Sequence, residues 1–179
     1  MNWTTIVTLC LAGAALLAGC GSAADPWADR PGAVLLFDAT RGATQRNHFE
    51  PVRDPYGGRA KVGRGTWGAQ GGQKMVLLND AGFFAMPADA AGHSVIIRLA
   101  LRGQRDLRFV LVGEGGKGIT YRRTVPAEGR WCDIELPLSE AAGRITPGEK
   151  VVDITVMQFD PSEQAVLYVH SAVLDEAGE

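Results

Sequence analysis

The chain has 179 residues, of which 46% are hydrophobic and 21% charged, and its formal net charge is −2 at pH 7. This length suits one domain with a leader and a tether, and the charge gives no basic footprint, so nucleic acid is not expected as a partner. The 23 glycines argue against a helical bundle and favour a fold with many tight turns.

An export signal is the first predicted element. Residues 6–18 carry no charge and are nearly all apolar, and this run is too short to span a bilayer but typical of a signal-peptide core. It ends in Leu17-Ala18-Gly19-Cys20, which resembles the lipobox of bacterial lipoproteins. The resemblance implies that residues 1–19 are removed and that Cys20 carries lipid, which anchors the protein to a cell-envelope membrane. Gly21-Ser22 follow the cysteine in place of the aspartate that the resemblance associates with retention at the inner membrane. The resemblance therefore implies the outer membrane if the cell is Gram-negative.

A tether follows the cysteine. Residues 20–32 contain two prolines and no hydrophobic periodicity, which predicts a flexible segment that begins at the lipidated cysteine. Trp27 lies within it and could pack either on the domain or on lipid headgroups. The domain is predicted over residues 33–179. Its one cysteine, Cys132, is expected to be a small buried side chain.

Short apolar runs separated by clusters of Gly, Pro, Asp and Asn predict strands throughout the domain. In the clearest run Val95, Ile97, Leu99 and Leu101 share one face of a strand, and Arg98 and Arg102 lie on the other. Only residues 87–92 and 139–143 are expected to form short helical turns. The pattern predicts an all-β fold, a two-sheet antiparallel β-sandwich, with strands at 33–38, 48–52, 59–62, 74–78, 82–86, 94–102, 107–112, 119–125, 131–136, 152–159 and 165–174.

The second half of the domain resembles a known class of folds. The segment Trp131-Cys132-Asp133-Ile134-Glu135-Leu136-Pro137-Leu138 is similar to one found in galactose-binding-like jelly rolls, which include many carbohydrate-binding modules. Residues 152–159 and 165–174 resemble the last two strands of that fold. The resemblance implies a jelly roll that binds glycans. Many such modules hold calcium with an aspartate in the last strand, where this chain has His170 and Ser171. No metal or other cofactor is therefore expected.

Catalytic chemistry is not predicted. The acidic residues are scattered, and the three histidines lack the spacing of metal ligands. Asp133 and Glu135 share a strand face with Trp131. This arrangement suggests either a functional site made of two carboxylates beside an aromatic ring, or two carboxylates that are simply solvated. Trp131 itself has the opposite parity to Ile134, so it needs a bulge or a place on the other face. The hypothesis is a non-catalytic, membrane-anchored protein that binds a saccharide. The alternative is a structural or scaffolding lipoprotein that binds another envelope protein.

Five residues are the candidate ligand contacts. Trp67 lies in a glycine-rich stretch, residues 63–72, that predicts a loop in which an aromatic ring is free to stack on a sugar. Arg98, Arg108 and Arg122 lie on strands that are predicted to be neighbours, and they could bind carboxylate or sulfate groups of an acidic saccharide if they share one solvent face. Tyr121, beside Arg122, is placed with them.

Overall fold

The computed structural model describes residues 27–39, 45–47, 49–57, 61–67, 73–103, 105–158 and 166–176. The predicted leader and Cys20 lie outside these residues. The described part contains two short 3-10 turns, Ala90–Gly92 and Leu138–Ala141, and no helix in it is long and apolar enough to cross a membrane. Its twelve strands are β1 Val34–Asp38, β2 Gln45–Asn47, β3 Phe49–Val52, β4 Val62–Trp67, β5 Gln73–Leu78, β6 Phe84–Ala85, β7 His93–Arg102, β8 Asp106–Gly113, β9 Gly118–Thr124, β10 Cys132–Pro137, β11 Lys150–Gln158 and β12 Val166–Glu176.

The strands form two antiparallel sheets that pack as a sandwich. Sheet A has the order β10-β7-β12-β4-β3, and β1 lies beside β4 along the same edge of β12. Sheet B has the order β9-β8-β11-β5, with β2 along β5 and β6 along β11. The prediction of an all-β, two-sheet antiparallel sandwich is therefore confirmed.

Strand β4 connects the two sheets at a place where the sequence predicted a loop. Its first half pairs with β12 of sheet A, and its last residues, Thr66 and Trp67, pair with β5 of sheet B. A Cβ atom at Gly65 would lie 3.1 Å from the carbonyl oxygen of Lys74, so glycine permits this close approach. The predicted loop over residues 63–72 is wrong for residues 63–67, because they belong to strand β4 and Gly65 permits its close packing against β5.

The core between the sheets follows the predicted alternation. Val95, Ile97, Leu99 and Leu101 of β7 point inward and are at most 1% exposed, and Phe109 of β8 faces them from sheet B. Fully burying each such aliphatic side chain contributes about 1.5–3 kcal/mol. The alternate residues of β7 lie on the outer face of sheet A, where Ile96 and Ala100 are also buried and Arg98 keeps part of its surface exposed.

The carboxyl group of Asp153, on the outer face of sheet B, destabilises the folded state when it is ionised. Burial raises the pKa of Asp153 on β11 above its ordinary value, while a hydrogen bond from Thr155 Oγ1 to Asp153 Oδ1 (2.7 Å) and the charge of Lys74 oppose the rise. A raised pKa means that the folded chain holds this proton more tightly, so stability falls as pH rises from about 3.9, the value of a free aspartate, through the folded pKa.

We therefore expect Asp153→Asn to raise the melting temperature at neutral pH by about 1–3 °C, with no gain near pH 3. Thermal unfolding followed across pH measures this difference. Asp106→Asn is the matched control, because the Asp106 carboxylate also accepts a hydrogen bond from a threonine, Thr124 (2.6 Å), but is exposed. An equal gain in the control, or none at Asp153, would contradict the desolvation argument.

Candidate functional site

Four aromatic side chains gather on the outer face of sheet A. Tyr56 packs edge-on against Trp131 (ring centroids 5.9 Å apart) and against Tyr168 (6.1 Å), and Trp131 packs edge-on against His170 (5.4 Å). We call Tyr56, Trp131, Tyr168 and His170 the aromatic cluster. The sequence left two possibilities for Trp131, a bulge or a place on the face opposite to Ile134. The structure shows it on the opposite face, because the neighbouring Cys132 points into the core. Tyr56, Trp131 and Tyr168 keep part of their surface exposed, whereas His170 is 5% exposed.

Local backbone features place the cluster. Tyr56 follows β3 in a turn that is fixed by a hydrogen bond from its backbone N–H to Asp54 Oδ1 (2.8 Å). Strand β12 has a register shift between Val169 and Ser171, and His170 is the extra residue. Such a bulge redirects side chains. It brings the His170 ring against Trp131 while Ser171 stays on the outer face opposite Arg98.

An ion pair lies beside the cluster. Arg98 and Asp133 are direct cross-strand partners on β7 and β10, and the guanidinium donates from Nε to Oδ1 and from Nη2 to Oδ2, both at 2.7 Å. The side chains keep 25% and 30% of their surface exposed. The fork geometry fixes both groups before any ligand arrives, while their remaining surface can still exchange hydrogen bonds with it.

Trp27 lies against Arg98 of this ion pair. Its ring packs on Ile96 and Val173, and its Nε1 donates to Ser171 Oγ at 3.0 Å. The Arg98 guanidinium carbon lies 5.0 Å from the centroid of the Trp27 ring, a cation–π distance. The sequence left open whether Trp27 packs on the domain or on lipid. The structure shows it on the domain, where it is 7% exposed.

Two polar atoms of the cluster are buried without a partner among the described residues. The Tyr56 hydroxyl and Trp131 Nε1 make no hydrogen bond there. A buried unsatisfied donor costs about 1–3 kcal/mol, and natural folds keep few of them. These two atoms are closed to solvent, while the Tyr56 and Trp131 side chains as wholes keep part of their surface exposed.

The outer face of sheet B holds two of the predicted contact residues. Arg108 of β8 and Arg122 of β9 are exposed and pair directly across the strands. Arg98 does not join them, because β7 belongs to sheet A, so the predicted grouping of all three arginines on one face is wrong. Consecutive strands β7 and β8 pass from one sheet to the other although only residues 103–105 separate them.

Tyr121 requires a correction, because its ring points into the core and is 1% exposed. Its hydroxyl donates to the Pro137 carbonyl oxygen at 3.0 Å. Burial raises the pKa of Tyr121 to about 12, and the Glu140 carboxylate adds to this, while Arg123 opposes it. A ligand on the surface cannot reach the ring, so Tyr121 is a core residue.

The remaining predicted contact, Trp67, ends β4 with its backbone paired to Gln73, and its side chain lies outside the described part. Its role in binding stays a prediction. Glu135, the second acid beside Trp131, accepts a hydrogen bond from Ser94 Oγ at 2.8 Å. Within the described ranges, no three His, Cys, Asp or Glu side chains come together as a metal site would require.

Solved structures with similar folds share little sequence with this chain. The structure of PfGH50B aligns with a TM-score of 0.56 at 11% identity, over 79% of this chain and 23% of that one. The family 11 carbohydrate-binding module of the cellulosomal cellulase Lic26A-Cel5E of Clostridium thermocellum gives 0.53 at 10% identity, over 83% of this chain and 97% of the module. A variant of the family 29 module CBM29-2, complexed with mannohexaose, gives 0.51 at 8% identity, over 82% of this chain and 92% of that one.

No protein-family model matches the chain, and no curated protein matches its sequence. At identities this low the similarity shows the fold alone. The alignments to the two carbohydrate-binding modules cover nearly their whole length, so this chain has the jelly-roll sandwich of such modules, as the sequence resemblance implied.

Proposed function

We propose that this chain is a lipid-anchored, non-catalytic protein of the bacterial cell envelope that binds a saccharide on the outer face of sheet A. The observation that carries the proposal is the aromatic cluster beside the Arg98–Asp133 pair. Saccharides combine apolar C–H faces with hydroxyl groups, and this surface offers aromatic rings for the first and a fixed donor–acceptor pair for the second.

Each group on this face has a definite role in the proposed complex. The half-buried rings of Trp131 and Tyr168 pack against the C–H face of a sugar. Asp133 accepts hydrogen bonds from sugar hydroxyls, and Arg98 donates to them. Because Arg98 and Asp133 already hold each other in place, binding orders few side chains. The names of the similar modules support a saccharide as the ligand.

The lipobox supports anchoring through Cys20. Two or three acyl chains on such a cysteine make membrane attachment effectively stable, whereas one chain alone is marginal. An extended chain from Cys20 reaches at most about 25 Å to Trp27, so the lipid lies close to the segment that packs on sheet A. The small residues Gly21-Ser22 support the outer membrane in a Gram-negative cell.

The alternative, a scaffolding lipoprotein that binds an envelope protein, has one observation in its favour. Val34 and Leu35 at the start of β1 are 56% and 43% exposed, which makes them the exposed large hydrophobic residues of the described part. Two apolar side chains on a strand edge suit a protein partner. These two residues form a small patch. The aromatic cluster and the Arg98–Asp133 pair together form a more extensive surface, which favours the saccharide proposal.

A glycan array probed with the chain lacking residues 1–20 tests the proposal. We expect selective retention on one group of oligosaccharides with a Kd in the micromolar to millimolar range, typical of an open surface with few ordered contacts. No retention on any glycan, together with a protein recovered by crosslinking in the intact envelope, would favour the scaffolding alternative.

A further inference from the structure

The outer face of sheet A continues beyond the aromatic cluster. Tyr168 of β12 is the direct cross-strand partner of Arg64 on β4, and Arg64 is the direct partner of Glu50 on β3. Residues that are direct partners lie on the same face of a sheet. Tyr56 contacts both Tyr168 and Trp131, so the side chains of Trp131, Tyr56, Tyr168, Arg64 and Glu50 follow one another across the sheet. We call these five residues the cross-strand line.

The cross-strand line extends over the whole width of sheet A. From Tyr168 it runs in one direction to β3 and in the other past Ala100, the partner of Tyr168 on β7, to Trp131 at the start of β10. Neighbouring strands lie about 4.8 Å apart, so the four intervals from β10 to β3 span about 19 Å. A disaccharide is far shorter than this distance. Only a chain of several sugars reaches both ends of the line.

The charged end of the line is open to a ligand. The side chains of Arg64 and Glu50 keep 43% and 54% of their surface exposed, and Arg64 Nη1 lies 3.8 Å from Glu50 Oε2, beyond hydrogen-bonding distance. Arg98 and Asp133, in contrast, hold each other through two hydrogen bonds. The guanidinium of Arg64 can therefore donate to sugar hydroxyls, and the carboxylate of Glu50 can accept from them.

The charges on this face come in pairs of opposite sign. Arg98 lies beside Asp133 and Arg64 lies beside Glu50, so each pair has no net charge. A surface that attracts an acidic polymer concentrates cations instead, because complementary potentials are what steer charged partners together. Paired charges suit a ligand that is rich in hydroxyl groups and carries no charge of its own.

We propose that the ligand is a linear, uncharged oligosaccharide that lies across the strands of sheet A, and that Arg64 and Glu50 bind the sugars beyond the aromatic cluster. This inference rests on the proposed saccharide site and adds the class of saccharide and two further contact residues. The rings of Trp131 and Tyr168 pack against sugars near the middle of the bound chain and at one of its ends. Arg64 and Glu50 select for chain length, because only a longer chain extends to them.

The test compares two double variants of the full chain carrying Cys20→Ser, so that no lipid is attached. Glu50→Ala/Arg64→Ala removes the charged end of the line. Arg123→Ala/Glu140→Ala is the matched control, because it removes a partly exposed ion pair that joins β9 to the 3-10 turn after β10, outside the line. The probes are linear β-1,4-linked oligosaccharides of glucose, mannose and xylose, each as a disaccharide and a hexasaccharide, with hexagalacturonate as the acidic comparison. Calorimetric titration at low and high salt measures binding.

The expected results concern chain length. The wild type should bind at least one neutral hexasaccharide about tenfold more tightly than the matching disaccharide, and Glu50→Ala/Arg64→Ala should weaken hexasaccharide binding about fivefold to tenfold. Disaccharide binding by this variant, and all binding by the control variant, should stay within about twofold of the wild type. Salt should change the binding of neutral probes little, because they carry no charge to screen. Both variants should melt close to the wild type, since exposed ion pairs contribute little to stability.

Three results would overturn the inference. They are a wild type that binds no neutral hexasaccharide more tightly than its disaccharide, equal losses in the two double variants, and tighter binding of hexagalacturonate that weakens with salt. Trp131→Ala separates this outcome from the fate of the proposed function. If Trp131→Ala weakens the binding of both chain lengths and Glu50→Ala/Arg64→Ala weakens neither, the saccharide site stands and its extension to Arg64 and Glu50 is wrong. If Trp131→Ala binds every probe like the wild type, the saccharide site itself is wrong.

Discussion

Replacing Trp131 by alanine is expected to lower the affinity for the saccharide about tenfold. The variant loses the ring proposed to pack on the sugar, and it also loses the packing of that ring against Tyr56 and His170. Calorimetric titration with the glycan identified on the array measures the loss. Trp131→Phe should recover part of the affinity, since it keeps an aromatic face and removes the indole N–H.

Phe84→Ala is the control for destabilisation alone. Phe84 is also a half-buried aromatic residue, but it packs on the core from β6 on sheet B. Both alanine variants should melt at lower temperature than the wild type, and only Trp131→Ala should bind more weakly. If Trp131→Ala binds as tightly as the wild type, the aromatic cluster is a packing feature and not a saccharide site.

Cys20→Ser is expected to release the protein from the membrane fraction. Without a thiol no thioether to diacylglycerol can form, and no helix among the described residues is long and apolar enough to cross a membrane. Fractionation of cells followed by mass measurement of the mature protein detects both the change in location and the missing lipid mass.

Cys10→Ser provides the matched comparison, because Cys10 lies within the predicted signal peptide and is expected to be removed with it. This variant should be lipidated and membrane-bound like the wild type. A Cys20→Ser protein that stays in the membrane fraction at the mass of the wild-type protein would contradict the lipobox assignment.

The β-sandwich could be predicted because the alternation of apolar and other residues along each strand is visible in a short stretch of sequence. Alternation in residues 94–102 places Val95, Ile97, Leu99 and Leu101 on one face, and the structure buries all four. The same rule would have placed Tyr121 correctly, since it shares its parity with the buried Ile119 on β9. Treating Tyr121 as a ligand contact ignored that signal.

The site depends on contacts that local sequence does not encode. Tyr56 lies in a short segment without an apolar run, and only the tertiary fold brings it to Trp131, far along the chain. The pairing of Arg98 with Asp133 requires knowing that β7 neighbours β10. A connection of three residues usually indicates a hairpin, so β7 and β8 looked like neighbours, whereas they belong to different sheets. The bulge at His170 is likewise set by pairing with β7.

The most direct test of the central claim is to map where the saccharide binds by nuclear magnetic resonance of the isotope-labelled chain lacking residues 1–20. Titration with the glycan found on the array should shift the indole N–H of Trp131 and the backbone amides of Arg98, Asp133 and Tyr168, while the amides of β8 and β9 stay unchanged. Shifts confined to sheet B, or a saturating titration that leaves the aromatic cluster unperturbed, would contradict the assignment of the saccharide site to the outer face of sheet A.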